Sequence, residues 1–204
     1  MPRRNVQKSD IAETYYHVYA RGTSKQPIFL NASDFKYFIG LFERYLSLQP
    51  KIGKSHLGYP HFHGKVELLA YCLMNNHFHL LLYQKVEGSM CLFMKSVMSS
   101  YCMYFNLKYK KSGSIYESTY KASLINSDSY LSHISRYIHL NPRYWQRYKY
   151  SSLKYYLSLE SVEWLGMAKV EELFSGPDEY MDFLKDYEGQ MEILHELKHE
   201  LAHL

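Results

Sequence analysis

The sequence predicts an α+β fold, with helices packed on an antiparallel β-sheet. Three observations carry that prediction. Short β-branched and aromatic runs are mixed with segments of helical periodicity and do not alternate with them at βαβ spacing. No glycine-rich turn leads from a strand into a helix. Two apolar runs, 65–74 and 77–84, are divided only by Asn75 and Asn76. Asparagine tolerates a positive φ, so this divider suits a tight turn or bulge between antiparallel strands. At 204 residues the chain suits one domain, or one domain and a short appendage, with a core that needs no disulfides.

Residues 14–20, TYYHVYA, read as a strand, and Arg21-Gly22 and Pro27 mark the loop after it. Ser33 or Asp34 is the expected cap of a helix carrying Phe35, Phe38, Ile39, Phe42 and Leu46 at helical spacing. Residues 49–64 are rich in Gly, Pro and Lys and read as an exposed loop or hairpin. After the two apolar strands, residues 88–107 read as a long helix, with Lys108, Lys110 and Lys111 suited to its C-terminal dipole. An extended segment follows Gly113. Ser127 or Asp128 then caps a helix that Pro142 stops just after Asn141. A short helix is expected at 151–157, another near 168–174, and a longer one from about 178 to 203.

The net charge of +4 conceals a division. Residues 155–204 hold 12 acids and 3 bases, a net of −9, whereas residues 1–154 hold 8 acids and 21 bases, a net of +13. A basic body rich in aromatics (22 Tyr, 10 Phe, 2 Trp) suits stacking on unpaired bases and pairing with phosphates. It equally suits core tyrosines beneath solvated lysines. The charge step near residue 155 predicts a body, 1–156, and an acidic helical extension, 157–204. The extension is expected to serve as a partner surface, a dimer element or a guard over the basic groove. Three cysteines form no CxxC and no even set, no apolar run reaches membrane-span length, and the first residues lack a signal-peptide apolar stretch. The expectation is a cytoplasmic protein with free thiols and no membrane partner.

His-Phe-His occurs twice, at 61–63 and 77–79. On a strand, residues i and i+2 share a face, with Cα atoms about 6–7 Å apart, close enough for two imidazoles to share an ion. His77 and His79 open an apolar strand, where burying two histidines is costly unless they bind something. His61 and His63 lie in a polar loop and read as surface residues. A third ligand is needed, and the helix at 127–141 offers Asn141, one turn beyond Tyr137 on the same face. Spacing alone leaves Tyr137 equally readable as one more core tyrosine.

MNNHFHLLLY followed by RYIHLNP resembles the HUH single-tyrosine transposases, closest to the REP-associated tyrosine transposases. YYHVYARGTSKQPIFL, the helix from Ser100 to Asn106, the segment 113–121 and Tyr150-Ser151-Ser152 follow in family order. The resemblance covers about residues 10–156. It implies an RRM/ferredoxin-like sheet, His77, His79 and Asn141 as ligands of a divalent metal (Mg²⁺ or Mn²⁺), and Tyr137 as nucleophile. It further implies a metal-dependent endonuclease and strand-transferase acting through a 5′-phosphotyrosine on single-stranded, hairpin-containing DNA. A homodimer, with the tyrosine acting in cis or in trans, stays open. Expected phosphate contacts are Arg3, Arg4, Arg21, Lys95, Lys108, Lys110, Lys111, Lys121, Arg136, Arg143 and Arg147. The competing reading is an RRM-like nucleic-acid binder that cuts nothing. A zinc hydrolase built on His77 and His79 is weaker, because no third His, Glu or Asp lies at HExxH-type spacing from that pair.

Overall fold

The computed structural model describes residues 11–53, 56–125 and 127–186. Arg3, Arg4 and the expected helix beyond residue 186 lie outside that range. The central unit runs β1 (Thr14–Arg21), α1 (Ala32–Leu46), β2 (Val66–Met74), β3 (His77–Gln84), α2 (Ser89–Tyr109), β4 (Lys121–Ile125). Its four strands are all antiparallel, in the order β2-β3-β1-β4, which is the ferredoxin-like arrangement the resemblance implied. Then come α3 (Asp128–Leu140), α4 (Leu153–Tyr156), α5 (Ala168–Glu171) and α6 (Pro177–Lys185).

Strand periodicity divides the core into two layers. Tyr16, Val18 and Ala20 of β1, with Phe78, Leu80 and Leu82 of β3, face α1 and α2. The opposite face carries Ala70, Cys72 and Leu81 and is covered by Leu131, Ile134 and Ile138 of α3. β2 does not alternate cleanly because a bulge between Leu68 and Ala70 shifts its phase. Leu69 and Ala70 therefore join the α3 layer together, and Tyr71 and Leu73 return to the other.

The cap of α1 is Asn31, not Ser33 or Asp34. Its side chain accepts from Ser33 N while Asp34 accepts from the Asn31 backbone, a reciprocal box that satisfies two otherwise unpaired amides. Buried Asp34 also accepts from Lys108 (2.6 Å), Tyr104 and Tyr109 at the far end of α2. Burial alone would raise the Asp34 carboxyl; the Lys108 ammonium and the two phenols outweigh it and hold it below its usual value. The Asn75-Asn76 turn forms without a positive φ at either residue. It is held from outside. The Asn75 carbonyl accepts from Ile28 and Phe29 N, the Asn76 carbonyl from Gly22 N. Gly22 has no alternative there, since a Cβ would meet the Gln26 carbonyl oxygen at 2.1 Å.

The loop at 49–64 carries a small bridge between Ile52 and Gly58. His61 is half-buried and His63 exposed, as surface residues are, but they are not loose: each holds a carbonyl at the C-terminal end of α1, Ser47 O at 2.8 Å and Leu46 O at 3.1 Å. Those carbonyls have no partner within the helix, which gives the pair its role.

The acidic segment packs into the α3 layer as far as it is described. Val170, Tyr180 and Leu184 are buried with Ile134 and Ile138, and Leu165 bridges to Leu68. A polar chain joins the parts: His139 Nδ1 meets Tyr180 Oη at 2.6 Å, and His139 Nε2 meets Ser152 Oγ at 2.7 Å. Ser152 Oγ also accepts from Tyr71 N. Burial pushes the His139 imidazole down to about 3, far below its usual 6.5. Between those values the unfolded chain binds a proton that the folded chain refuses, so stability present above pH 6.5 is lost as pH falls toward 3. From pH 7 to pH 5 His139 should remove about 2 kcal/mol, or roughly 4–8 °C in Tm. Thermal unfolding checks this: His139→Gln should melt lower at pH 7 but depend less steeply on acid. An unchanged slope would mean that His139 is not held neutral.

Candidate active site

The antiparallel register assembles the site. Arg21 pairs with His77, Tyr19 with His79, and His79 in turn with Cys72 on β2 and Tyr19 with Lys121 on β4. Cross-strand partners share a face, so Lys121, Tyr19, His79 and Cys72 form one row across the sheet, and Arg21 and His77 the next. His17 is two residues before Tyr19 and shares that face. α3 lies over it.

Each motif histidine is held through Nδ1. His77 Nδ1 lies 2.7 Å from Asn76 Oδ1, and Asn76 Nδ2 donates to Lys25 O, which fixes the amide's orientation. His79 Nδ1 lies 2.9 Å from His17 Nε2. The two Nε2 atoms remain for other use. His77 Nε2 approaches Asn141 Oδ1 at 3.3 Å, a spacing two ligands of one ion adopt. Burial lowers the pKa of all three imidazoles: His17 to about 3, His79 well below 6.5 with His17 and His77 adding to the shift, and His77 by burial and Arg21 against the Asn141 contact. They are neutral near pH 7, the form that binds metal. Among the described residues no three His, Cys, Asp or Glu side chains converge on a common ion position. Burial keeps the neighbouring Cys72 thiol protonated. The donors these residues could offer one ion are two imidazoles and the Asn141 amide, a set that does not suit a zinc hydrolase.

Tyr137 projects from α3 edge-on to both inner histidines, its ring centroid 5.3 Å from His79 and 5.8 Å from His17. It is half-buried. Burial and Tyr19 raise its phenol to about 12, against a hydrogen bond with Asn141. Asn141 is the C-cap of α3, one turn on. Tyr137, His77, His79 and Asn141 thus meet within a single chain.

The basic residues divide. Arg21 (bonded to Glu117 at 3.2 Å), Lys121 over the Tyr19 ring, and Arg143 just past Asn141 border the site from three elements. Arg147 is exposed in the same connection after α3. Lys95, Lys108, Lys110 and Lys111 belong to α2 or its C-terminal end, across the sheet from the histidines. Lys108 is committed to Asp34, and Lys110 is the left-handed cap residue of α2. Arg136 is no phosphate contact: it is wholly buried, donates to Phe183 O, meets His133 Nδ1 at 2.8 Å, and stacks on the Phe183 ring at 4.1 Å. Its position beside Tyr137 in sequence places it on a different face of α3. His17 escaped the sequence reading. The signal for it was a lone imidazole between tyrosines at the β1 phase that shares the face of His77 and His79.

Residues 60–141 match the family model described as IS200-like transposases. The match contains both motif histidines, Tyr137 and Asn141. A REP-associated tyrosine transposase solved with a REP hairpin shares the fold, at a TM-score of 0.54 and 13% identity, over 78% of this chain and 90% of that one. A candidate transposase from Deinococcus radiodurans aligns at a TM-score of 0.39 and 14% identity, over 65% of this chain and 93% of that one. No curated protein sequence matches the chain. The resemblance to the transposases read from the sequence stands.

Removing Arg136 tests the assignment of its side chain to the core. Arg136→Ala opens a cavity and strands the Phe183 carbonyl, so unfolding should cost about 2–4 kcal/mol less than in the parent. An unaltered urea midpoint would return Arg136 to the surface.

Proposed function

We propose that this IS200-like chain is a metal-dependent single-stranded DNA endonuclease and strand-transferase that works through a 5′-phosphotyrosine. The observation that carries the reading is the meeting of Tyr137 with His77, His79 and Asn141 on one sheet face of one chain. A phenol with a pKa near 12 is a weak nucleophile, and a phosphodiester repels its anion. A divalent ion on His77 Nε2, His79 Nε2 and Asn141 Oδ1 would act as a Lewis acid on a phosphate oxygen. Two nitrogens and one amide oxygen suit Mn²⁺ at least as well as Mg²⁺.

The chain's own residues do the rest. Tyr137 Oη bonds to phosphorus as the P–O3′ bond breaks, giving a phosphotyrosine and a free 3′-hydroxyl. The proton lost by the phenol balances the one gained by the leaving oxygen. The ester keeps its bond energy, so a second 3′-hydroxyl can attack it and join strands. Arg21, Lys121 and Arg143 are placed to meet flanking phosphates. The hairpin bound by the REP-associated relative supports a hairpin-bearing substrate here.

Purified protein with Mn²⁺ and a hairpin-bearing oligonucleotide should give a covalent adduct that survives denaturant. Tyr137→Phe should abolish the adduct and keep DNA affinity, His77→Ala should abolish cleavage in a folded protein, and His61→Ala should change neither. Binding without any wild-type adduct would favour the non-catalytic reading. In a salt titration, Arg21→Ala, Lys121→Ala or Arg143→Ala should each weaken binding and flatten the log K against log salt slope by about 0.7. Lys95→Ala should leave that slope unchanged.

A further inference from the structure

We propose that His17 is a positioning residue for His79. Its Nε2 accepts the Nδ1–H of His79 and so holds the tautomer whose Nε2 is a free lone pair aimed at the ion site. The inference rests on the metal site proposed above and adds a residue to it.

One proton lies between His17 Nε2 and His79 Nδ1, which are 2.9 Å apart. If His17 donates it, neutral His79 carries its own proton on Nε2 and cannot ligate there. If His79 donates it, Nε2 is free. The second arrangement alone is compatible with His79 as a ligand, and it reproduces what His77 already has. There the Asn76 amide is fixed by its bond to Lys25 O, presents only an acceptor, and leaves His77 Nδ1 to donate. Both motif histidines would then give Nδ1–H to a second side chain, the usual way in which a ligating imidazole is oriented.

Packing does not explain His17. It is wholly buried in a strand whose neighbours are Tyr and Val. Its Nδ1 has no hydrogen-bond partner among the described residues. A phenylalanine would fill the space and remove the unpaired Nδ1, but it would strand His79 Nδ1, so the imidazole is kept at a cost for what it does to His79. Its ring lies nearly parallel to that of His79, 10° between planes and 5.1 Å between centroids, with Tyr137 edge-on to both. With the hydrogen bond between them, the two rings lie edge to edge in nearly one plane, which fixes the direction of His79 Nε2.

The test compares wild type, His17→Gln, which can keep an acceptor, and His17→Phe, which keeps only shape. Mn²⁺ binding is titrated calorimetrically without DNA, and the histidine tautomers of the metal-free protein are read by ¹⁵N imidazole NMR. Wild type should show His79 protonated on Nδ1. His17→Phe should lose Mn²⁺ affinity about 10–100-fold and shift His79 toward the Nε2–H form, and His17→Gln should restore affinity to within about threefold. A folded His17→Phe that binds Mn²⁺ like wild type overturns the inference, as does equal loss in both variants. His79 protonated on Nε2 in wild type overturns it even if His17→Phe does not fold. Wild type that binds no Mn²⁺ while showing the Nδ1–H tautomer fails the metal reading and leaves the hydrogen bond itself established.

Discussion

The pairing of β1 with β3 at the centre of the sheet sets where the candidate site's histidines stand. Register, not proximity in sequence, brings Tyr19 opposite His79 and Arg21 opposite His77. A slip of one residue would send His77 and His79 into the α1–α2 layer and Phe78, Leu80 and Leu82 out of it. The apolar residues of that layer therefore fix the site on the other face. The turn between β2 and β3 adds a second lock, because the Asn75 and Asn76 carbonyls are bound to the loop after β1. β1 thus grips β3 along its length and at its beginning, next to His77.

A sheet face bearing three imidazoles cannot hold its covering helix by apolar contact alone. α3 is clamped from behind. Ile134 and Ile138 touch the sheet, while Arg136 and His139 reach the other way, to Phe183 and Tyr180 of α6. Ser152 closes the chain by bonding both His139 and the backbone of Tyr71 in β2. Its hydroxyl is saturated, so the buried Ser152–His139–Tyr180 run is a brace and not a nucleophilic triad. Through it the segment after residue 156 bears on the placement of Tyr137, which stands edge-on to His79.

The second His-Phe-His, the helix that Pro142 ends and the Tyr137–Asn141 spacing were legible because each follows from strand or helix period. His17 was not, because its role depends on a partner 62 residues away that only the register supplies. Arg136 and Lys108 read as surface cations for the same reason. Charge is visible in a sequence; the Phe183 ring and the Asp34 carboxylate that absorb it are not. The Asn31 cap was missed because Ser33 and Asp34 are equally good capping residues, and the choice was made by the loop that delivers Leu30 and Asn31 amides to Asp34. His61 and His63 looked loose because their acceptors are helix-end carbonyls, which carry no side-chain signature.

The charge division in the sequence now has a spatial meaning. Among the described residues the acidic segment's ion pairs are Glu160 with Lys154, Asp182 with Lys185 and Lys169 with Glu67 of β2, and none involves Arg21, Lys121 or Arg143. Its described part braces α3 from behind and leaves the basic rim open. The site itself lies at the C-terminal end of α3, where the helix dipole favours a cation. The donors proposed there are neutral, two imidazoles and an amide. A carboxylate ligand would cancel part of the charge of a divalent ion; neutral ligands leave it whole to oppose the phosphodiester. On the function proposed above, the basic rim would bind the strand's flanking phosphates, and the ion's undiminished charge would fall on the one phosphate that Tyr137 would attack.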